Sequence, residues 1–406
     1  MALLGLAAAV LRPAPEATTS AGGPAWSTTW AAAPSSAVSR APAGYPGHTF
    51  RNVVHTSIGG PRLRLRLTNR YGSLPVTFGH VTVALSRHPG GTADPSDGSA
   101  TPATMRDVRF AGALRVTVPA GADLLSDPVP LAVPADVDLL VSVWTPDPSG
   151  TVTQHVGANQ QSFFSAGPAD QAAAAGAAPF PARMPHWFYL AAVEVAGGPG
   201  TIVTLGDSIT DSGASAMGAN HRWPDLLAAR LTTPRYGVAN SGISGNRLLL
   251  DGGHPRADPF SIAGRSAVAR FDPDVLERAG VRTVIILIGI NDLLLPPPRT
   301  DPAPIIAGLR ELVARAHARG LRVIVGTLTP AAGWHSWTPA AERTRTAVND
   351  WIRTSREFDG MADFDQAVRD PADPARLRPG FDGGDHLHPN DEGNRALAAA
   401  VPLDRL

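Results

Sequence analysis

TIVTLGDSIT, residues 201–210, is the stretch whose reading decides the fold. Its first five residues are β-branched or apolar and do not alternate with polar ones. That suits a strand covered on both faces rather than one half exposed to water. Gly206 and Asp207 then break the run, so Ser208 stands at the carboxyl end of the strand. Outward from there the same theme repeats. RWPDLLAARL at 222–231 predicts a helix, Tyr236–Ala239 a second strand, and TVIILIG at 283–289 a central parallel strand. Thr300, Asp301 and Pro302 provide a cap with proline at the helix start. Ile305, Ile306, Leu309, Leu312, Val313 and Ala316 follow at helical spacing until Gly320 ends the helix. LRVIVGTL at 321–328 predicts another strand, Thr338-Pro339 opens a helix containing Val348 and Ile352, and Asn390 caps a last helix through Ala400. Strands alternating with helices predict a parallel α/β sheet with helices on both faces.

Upstream of GGPG, residues 197–200, the period changes. RLRLRL at 62–67 alternates strictly, as a half-buried strand does, and its three arginines, Arg62, Arg64 and Arg66, read as a solvated face. Further strands are expected at Phe50–Ser57, Val76–Leu85, Leu114–Val118, Leu139–Trp144 and Trp187–Val195, with residues 166–182 as a loop. Short strands separated by Pro, Gly, Asp and Ser clusters predict an all-β sandwich or jelly roll. Trp26, Trp30, Trp144 and Trp187 are expected in its core. The predicted organisation is a β domain over 26–196 followed by an α/β domain over 201–406. Residues 1–25 are expected to be a flexible lead-in or remnant export signal. MALLGLAAAVL at 1–11 has an apolar h-region without a charged n-region, and it favours export while being too short to span a bilayer.

Composition narrows the chemistry. Basic and acidic residues balance at 35 each, leaving no electrostatic footprint for nucleic acid. The chain has no Cys, and every basic residue in that total is Arg. Thiol catalysis, disulfides, Schiff bases, Ser–Lys dyads and a P-loop lysine are therefore excluded. Ser, His, Asp, Glu and metals held by His or carboxylates remain.

Sites in open α/β sheets form at the carboxyl ends of strands. Four polar segments fall there: GDSIT at 206–210, NSGISGN at 240–246, GIND at 289–292, and DHLHPN at 385–390 ahead of the last helix. Together they supply what acyl transfer needs. Ser208 is a hydroxyl nucleophile, His388 a base to take its proton, and Asp385, three residues earlier, a carboxylate to hold the imidazole. The backbone N–H groups of Ser208 and Gly245 and the Asn291 amide are candidate oxyanion donors. No cofactor or metal is required.

These four segments resemble the blocks of the GDSL/SGNH hydrolase family, with Ser208, Gly245, Asn291 and His388 matching its four signature letters. The likeness covers 201–406. The stretches RWPDLLAARL, NSGISGNRLL and GGDHLHPND, with SIGGPRLRLRLTNRYG upstream, are similar to actinobacterial SGNH proteins that carry an N-terminal β domain. The resemblance implies a flavodoxin-like three-layer α/β/α domain, a carboxylic ester hydrolase activity, and the family's Ser, Asp and His roles on Ser208, Asp385 and His388. Thr210 and Asp211 depart from the family pattern at positions where the family varies.

Three other readings compete. His386 and His388 on one extended segment, with Asp207, Asn291 and Asp382 or Asp385, would make a metal-dependent phosphoesterase. An ordinary α/β-hydrolase would need a G-x-S-x-G elbow, which the sequence lacks. A non-catalytic binding module would leave the complete Ser/Gly/Asn/His set without a use. Transfer of the acyl group to an acceptor other than water uses the same residues. Trp334 and Trp337 are placed near the rim, either lining a subsite or packing on the helix, and Pro296–Pro298 stiffen a loop over the site. The β domain favours an O-acetylated sugar or polymer as the ester, over a lipid.

Overall fold

The computed structural model describes residues 25–38, 40–88, 97–211, 214–252 and 262–406. The expected lead-in and export signal over residues 1–24 lie outside the described residues.

The first half is built from antiparallel sheets. In a four-stranded sheet, Trp26–Ala31 pairs with Leu190–Ala196, which pairs with Leu63–Thr68, which pairs with Asp123–Leu125. A six-stranded sheet carries His48–His55 and Asp138–Thr145 at its centre. Apolar residues of both sheets, among them Phe50, Val54, Leu63, Leu65, Leu67, Val141, Val143 and Val193, close into one core, which makes a sandwich.

Two expected strands are broken. Val76–Leu85 divides into Val76–Phe78 and His80–Leu85, which pair in different sheets. Trp187–Val195 divides at Tyr189, whose φ of 56° turns the chain out of the extended region. The arginines at 62–67 also differ from expectation. Leu63, Leu65 and Leu67 face the core, but Arg64 and Arg66 are not simply solvated. The register places Glu194 opposite Arg64, and both arginines bond its fully buried carboxylate, Arg64 at 2.6 Å and Arg66 at 3.5 Å. A buried carboxylate on the neighbouring strand converts an apparent solvent face into a paired one. Of the tryptophans, Trp30 and Trp187 are core and meet edge to face at 4.9 Å, while Trp144 is only half-buried and Trp26 lies under the Arg64 guanidinium.

The second half is a five-stranded parallel sheet of β1 (Thr201–Gly206), β2 (Gly237–Gly242), β3 (Val281–Leu287), β4 (Arg322–Gly326) and β5 (Gly360–Ala362). The order is β2-β1-β3-β4-β5, with a switch point between β1 and β3. Helices α1 (Ser208–Asp211), α2 (Trp223–Arg230), α3 (Ala267–Phe271), α4 (Ile290–Leu294), α5 (Pro302–His317), α6 (Pro339–Thr354), α7 (Phe364–Val368) and α8 (Asp391–Ala400) connect and follow them. α2 and α7 pack with α8, and α3 and α6 with α5, giving the three layers. Asp301 and Asn390 cap α5 and α8 through their side chains. β5, only Gly-Met-Ala, carries no periodicity and was not legible in the sequence.

β2 is an edge strand, and the first half of the chain covers it. Val238 N–H donates to Ser57 Oγ at 2.9 Å, and Thr28 N–H to Thr201 Oγ1 at 2.8 Å. A Cβ at Gly237 would lie 2.1 Å from the Thr28 carbonyl oxygen, so glycine alone permits this approach. The edge that would otherwise invite pairing is closed.

Candidate active site

β1 delivers Ser208 to the first position of α1. Asp207 Oδ1 accepts the Ile209 N–H at 3.0 Å and fixes the turn, leaving Ser208 8% exposed. At the other end of the domain the chain makes a tight loop before α8. One oxygen of Asp385 accepts the N–H groups of Leu387 (3.0 Å) and His388 (2.9 Å). The other takes His388 Nδ1 at 2.6 Å, and His388 Nε2 stands 2.7 Å from Ser208 Oγ. The three-residue spacing in DHLH is what lets one carboxylate hold both the backbone and the ring. Burial alone would raise the Asp385 pKa, but the hydrogen bonds from His388 and the backbone outweigh it and hold the group below its usual value. With Nδ1 donating to a carboxylate, Nε2 is left as the acceptor for the Ser208 hydroxyl proton.

The candidate oxyanion donors stand at the ends of the adjacent strands β1, β2 and β3. Gly245 sits in the turn after β2 with φ 76°, and Asn291 opens α4 after β3, 5% exposed. Among the described residues, neither the Ser208 nor the Gly245 N–H donates to a protein acceptor. The Asn291 amide donates to the Asn246 carbonyl at 3.0 Å, which uses one of its two hydrogens. Asp292 accepts the N–H groups of Leu248 and Leu249 and ties α4 to the Gly245 loop. Beneath the serine, burial pushes the Asp207 carboxyl up to about 7, reinforced by nearby Asp292.

His386 and His388 are not brought together. His386, at φ 68°, turns out to Asp382, its Nδ1 2.6 Å from Oδ2. The segment is a loop rather than extended backbone, so two residues' separation does not put both rings on one side. Among the described residues no three His, Asp or Glu side chains are grouped to hold a metal ion. Trp334 meets the His388 ring edge-on at 5.8 Å, whereas Trp337 reaches toward Glu342. Arg247 donates to the Pro296 carbonyl at 2.6 Å, so the proline loop is fastened to the Gly245 loop. A separate cavity of about 300 Å³ between the two halves, lined in part by His55, His221, Arg222 and Asp225, contains none of Ser208, Asp385 or His388.

Several residues that build the site were not singled out from sequence. Arg270, buried in α3, donates to the carbonyls of Gly206 (3.0 Å) and Ser241 (2.7 Å) and to Asn246 Oδ1 (3.0 Å). It braces the ends of β1 and β2 and the loop beyond. Asp274, which burial would raise, is held below its usual value by Arg70, Arg270 and Arg278. Asp211 bonds Ser244 and, across the domains, His155. Asn246 had a signal, lying in NSGISGN. Arg270 in SAVARFD had none, since an arginine on a short helix reads as a solvent face.

Residues 204–396 match the model of the GDSL-like Lipase/Acylhydrolase family. No curated protein matches the chain. Among solved structures, the chain is similar to a putative lipolytic protein of the G-D-S-L family from Desulfitobacterium hafniense (19% identity, TM-score 0.38, 49% of this chain and 96% of that one). It is also similar to the M. smegmatis aryl esterase (19%, TM-score 0.39, 50% and 95%). A family two carbohydrate esterase from Cellvibrio japonicus aligns over both halves (13%, TM-score 0.35, 88% and 87%). With that family model spanning all four polar segments, the second half of this chain is a GDSL-type acylhydrolase domain, and the protein is a carboxylic ester hydrolase.

Proposed function

We propose that the protein cleaves carboxylic esters through a covalent acyl intermediate on Ser208, with His388 and Asp385 completing the triad. Ser208 Oγ attacks the ester carbonyl carbon while its proton passes to His388 Nε2. The carbonyl π pair moves onto oxygen, where the Ser208 and Gly245 N–H groups and the free hydrogen of the Asn291 amide receive it. Collapse breaks the C–O bond, and His388 returns the proton to the departing alcohol. Water then repeats the sequence, His388 taking its proton, to release the acid and restore the serine. Asp385 holds the ring tautomer and balances the transient imidazolium. The observation that carries this reading is the unbroken pair of hydrogen bonds, 2.7 Å and 2.6 Å, from Ser208 through His388 to Asp385.

We assign the alcohol portion of the substrate to a hydroxyl-bearing molecule such as an acetylated sugar. What supports this is Trp334, whose ring lies beside the base that protonates the leaving alcohol and whose buried Nε1–H lacks a protein acceptor among the described residues. A fluorophosphonate should add to Ser208 alone, located by peptide mass mapping, and Ser208→Ala should abolish both labelling and turnover of p-nitrophenyl acetate. Turnover near the wild-type rate in a folded Ser208→Ala protein overturns the proposal.

A further inference from the structure

We propose that the β domain is part of the oxyanion machinery, with His155 as a positioning residue that acts through Asp211 and Ser244 on the Gly245 amide. This rests on the acyl-Ser208 reading. His155 lies on the strand Val152–Val156 of the first domain, and its side chain and that of Asp211 are each 2% exposed. Nδ1 stands 2.7 Å from the Ala33 carbonyl oxygen and Nε2 2.8 Å from Asp211 Oδ1. Both partners are acceptors, so both ring nitrogens donate and the ring is an imidazolium facing a carboxylate. Burial lowers the His155 pKa, but the Asp211 charge and hydrogen bond outweigh it and leave the group raised. The second oxygen of Asp211 accepts both the N–H (2.9 Å) and the hydroxyl (2.8 Å) of Ser244, the residue before Gly245.

The neighbouring β-domain chain follows the same loops. A Cβ at Gly157 would come within 3.8 Å of Ser244 Oγ, and the Asn159 carbonyl accepts the Gly218 N–H at 2.8 Å. A second tether runs parallel. Arg70 of the β domain bonds Asp274 at 2.6 Å, Asp274 bonds Arg270, Arg270 holds Asn246, and the Asn246 carbonyl holds the Asn291 amide. Both donors that lie away from the nucleophile are thus anchored, through a buried carboxylate, to a cation of the other domain. Such a bond is directional, and losing one partner strands a buried charge, so it fixes a loop's position more sharply than apolar packing does. Asp211, three residues after the nucleophile, has this use here.

The test uses the full chain with p-nitrophenyl acetate, comparing His155→Gln, Ser244→Ala and the double variant. We expect His155→Gln to lower kcat about tenfold or more, with KM within about twofold, because an oxyanion donor acts mainly in the transition state. Ser244→Ala should lower kcat at least about threefold, and the double variant should fall short of the product of the two losses, since both cut one chain. The Ki of 1,1,1-trifluoroacetone, which forms a hemiketal oxyanion on Ser208, should rise in proportion to the loss in kcat/KM. A merely structural role would not link these quantities. A wild-type kcat in folded His155→Gln, or a loss confined to KM, overturns the proposal. Should His155→Gln fail to melt cooperatively, Ser244→Ala decides, and an unchanged kcat and Ki there overturns it. Ser208→Ala run alongside separates the two readings: retained turnover defeats the acyl-serine mechanism, while its loss beside an unaffected His155→Gln defeats only the positioning role.

Discussion

The side-chain amide of Asn291 donates to the backbone carbonyl of Asn246 at 3.0 Å. That bond sets the rotation of the amide and leaves its second hydrogen for the oxyanion we propose. Asn246 is itself immobilised, donating to the carbonyls of Ala263 and Arg265 and accepting from Arg270. Asn291→Ala removes a donor whose bond strengthens as negative charge develops. The expected effect is a fall in kcat of about 10²–10³, with a much smaller change in KM. Steady-state kinetics on p-nitrophenyl acetate read both constants, and an unchanged kcat removes Asn291 from the oxyanion site.

Asp385→Asn tests the tautomer directly. The oxygen that accepts the Leu387 and His388 N–H groups would remain an oxygen, so the new NH₂ faces His388 Nδ1. Nδ1 must then accept, and Nε2 carries the ring proton and cannot take one from Ser208. A loss of about 10⁴ in kcat is expected near neutral pH, as for tautomer-locked triads generally. Little change in melting temperature should accompany it. A loss under tenfold would mean that the imidazole does not need this carboxylate.

The hydrogen-bonded Ser208, His388 and Asp385 were legible because each sits in a short block with its own local reason: DHLH makes its own turn, and GDS ends a buried strand. The apolar cores were legible for the same reason, since Leu63, Leu65 and Leu67 or Ile305, Leu309 and Leu312 carry their period in neighbouring residues. What escaped depends on residues distant in sequence. The fate of Arg64 is set by Glu194, 130 positions away, and that of Asp211 by His155, 56 positions away. No window contains both partners, so a lone arginine or aspartate reads as surface. β5 escaped for a different reason, being too short to show any period.

Trp334→Phe keeps a smaller aromatic ring near His388 and removes the buried indole N–H. If that N–H receives a substrate hydroxyl, kcat/KM on acetylated xylan should fall about tenfold, of the size of one or so kcal/mol for a hydrogen bond. Hydrolysis of p-nitrophenyl acetate, whose alcohol bears no other hydroxyl, should change less than about twofold. Equal losses on both substrates would place Trp334 in support of His388 instead. A p-nitrophenyl series from acetate to palmitate, run on the wild type, reports acyl length independently of this contact.

Asp207 gives the stability of the protein a definite pH dependence. Burial and the nearby Asp292 raise its pKa to about 7 against the opposing Ile209 hydrogen bond and Arg270. In the unfolded chain the same carboxyl titrates near about 4. Between these values the folded protein binds a proton that the unfolded chain has released. The contribution of Asp207 to stability is therefore fully present below about pH 4, is lost as pH rises toward about 7, and is flat beyond. Asp207→Asn retains an oxygen for the Ile209 N–H and carries no charge at any pH. The variant should match the wild type in melting temperature near pH 4 and exceed it by a margin that grows up to about pH 7 and then levels, where the wild type must bury a charge. Calorimetry across that range measures the margin directly. A difference that does not change with pH, or that shrinks as pH rises, would show that Asp207 is already ionised in the folded protein at low pH.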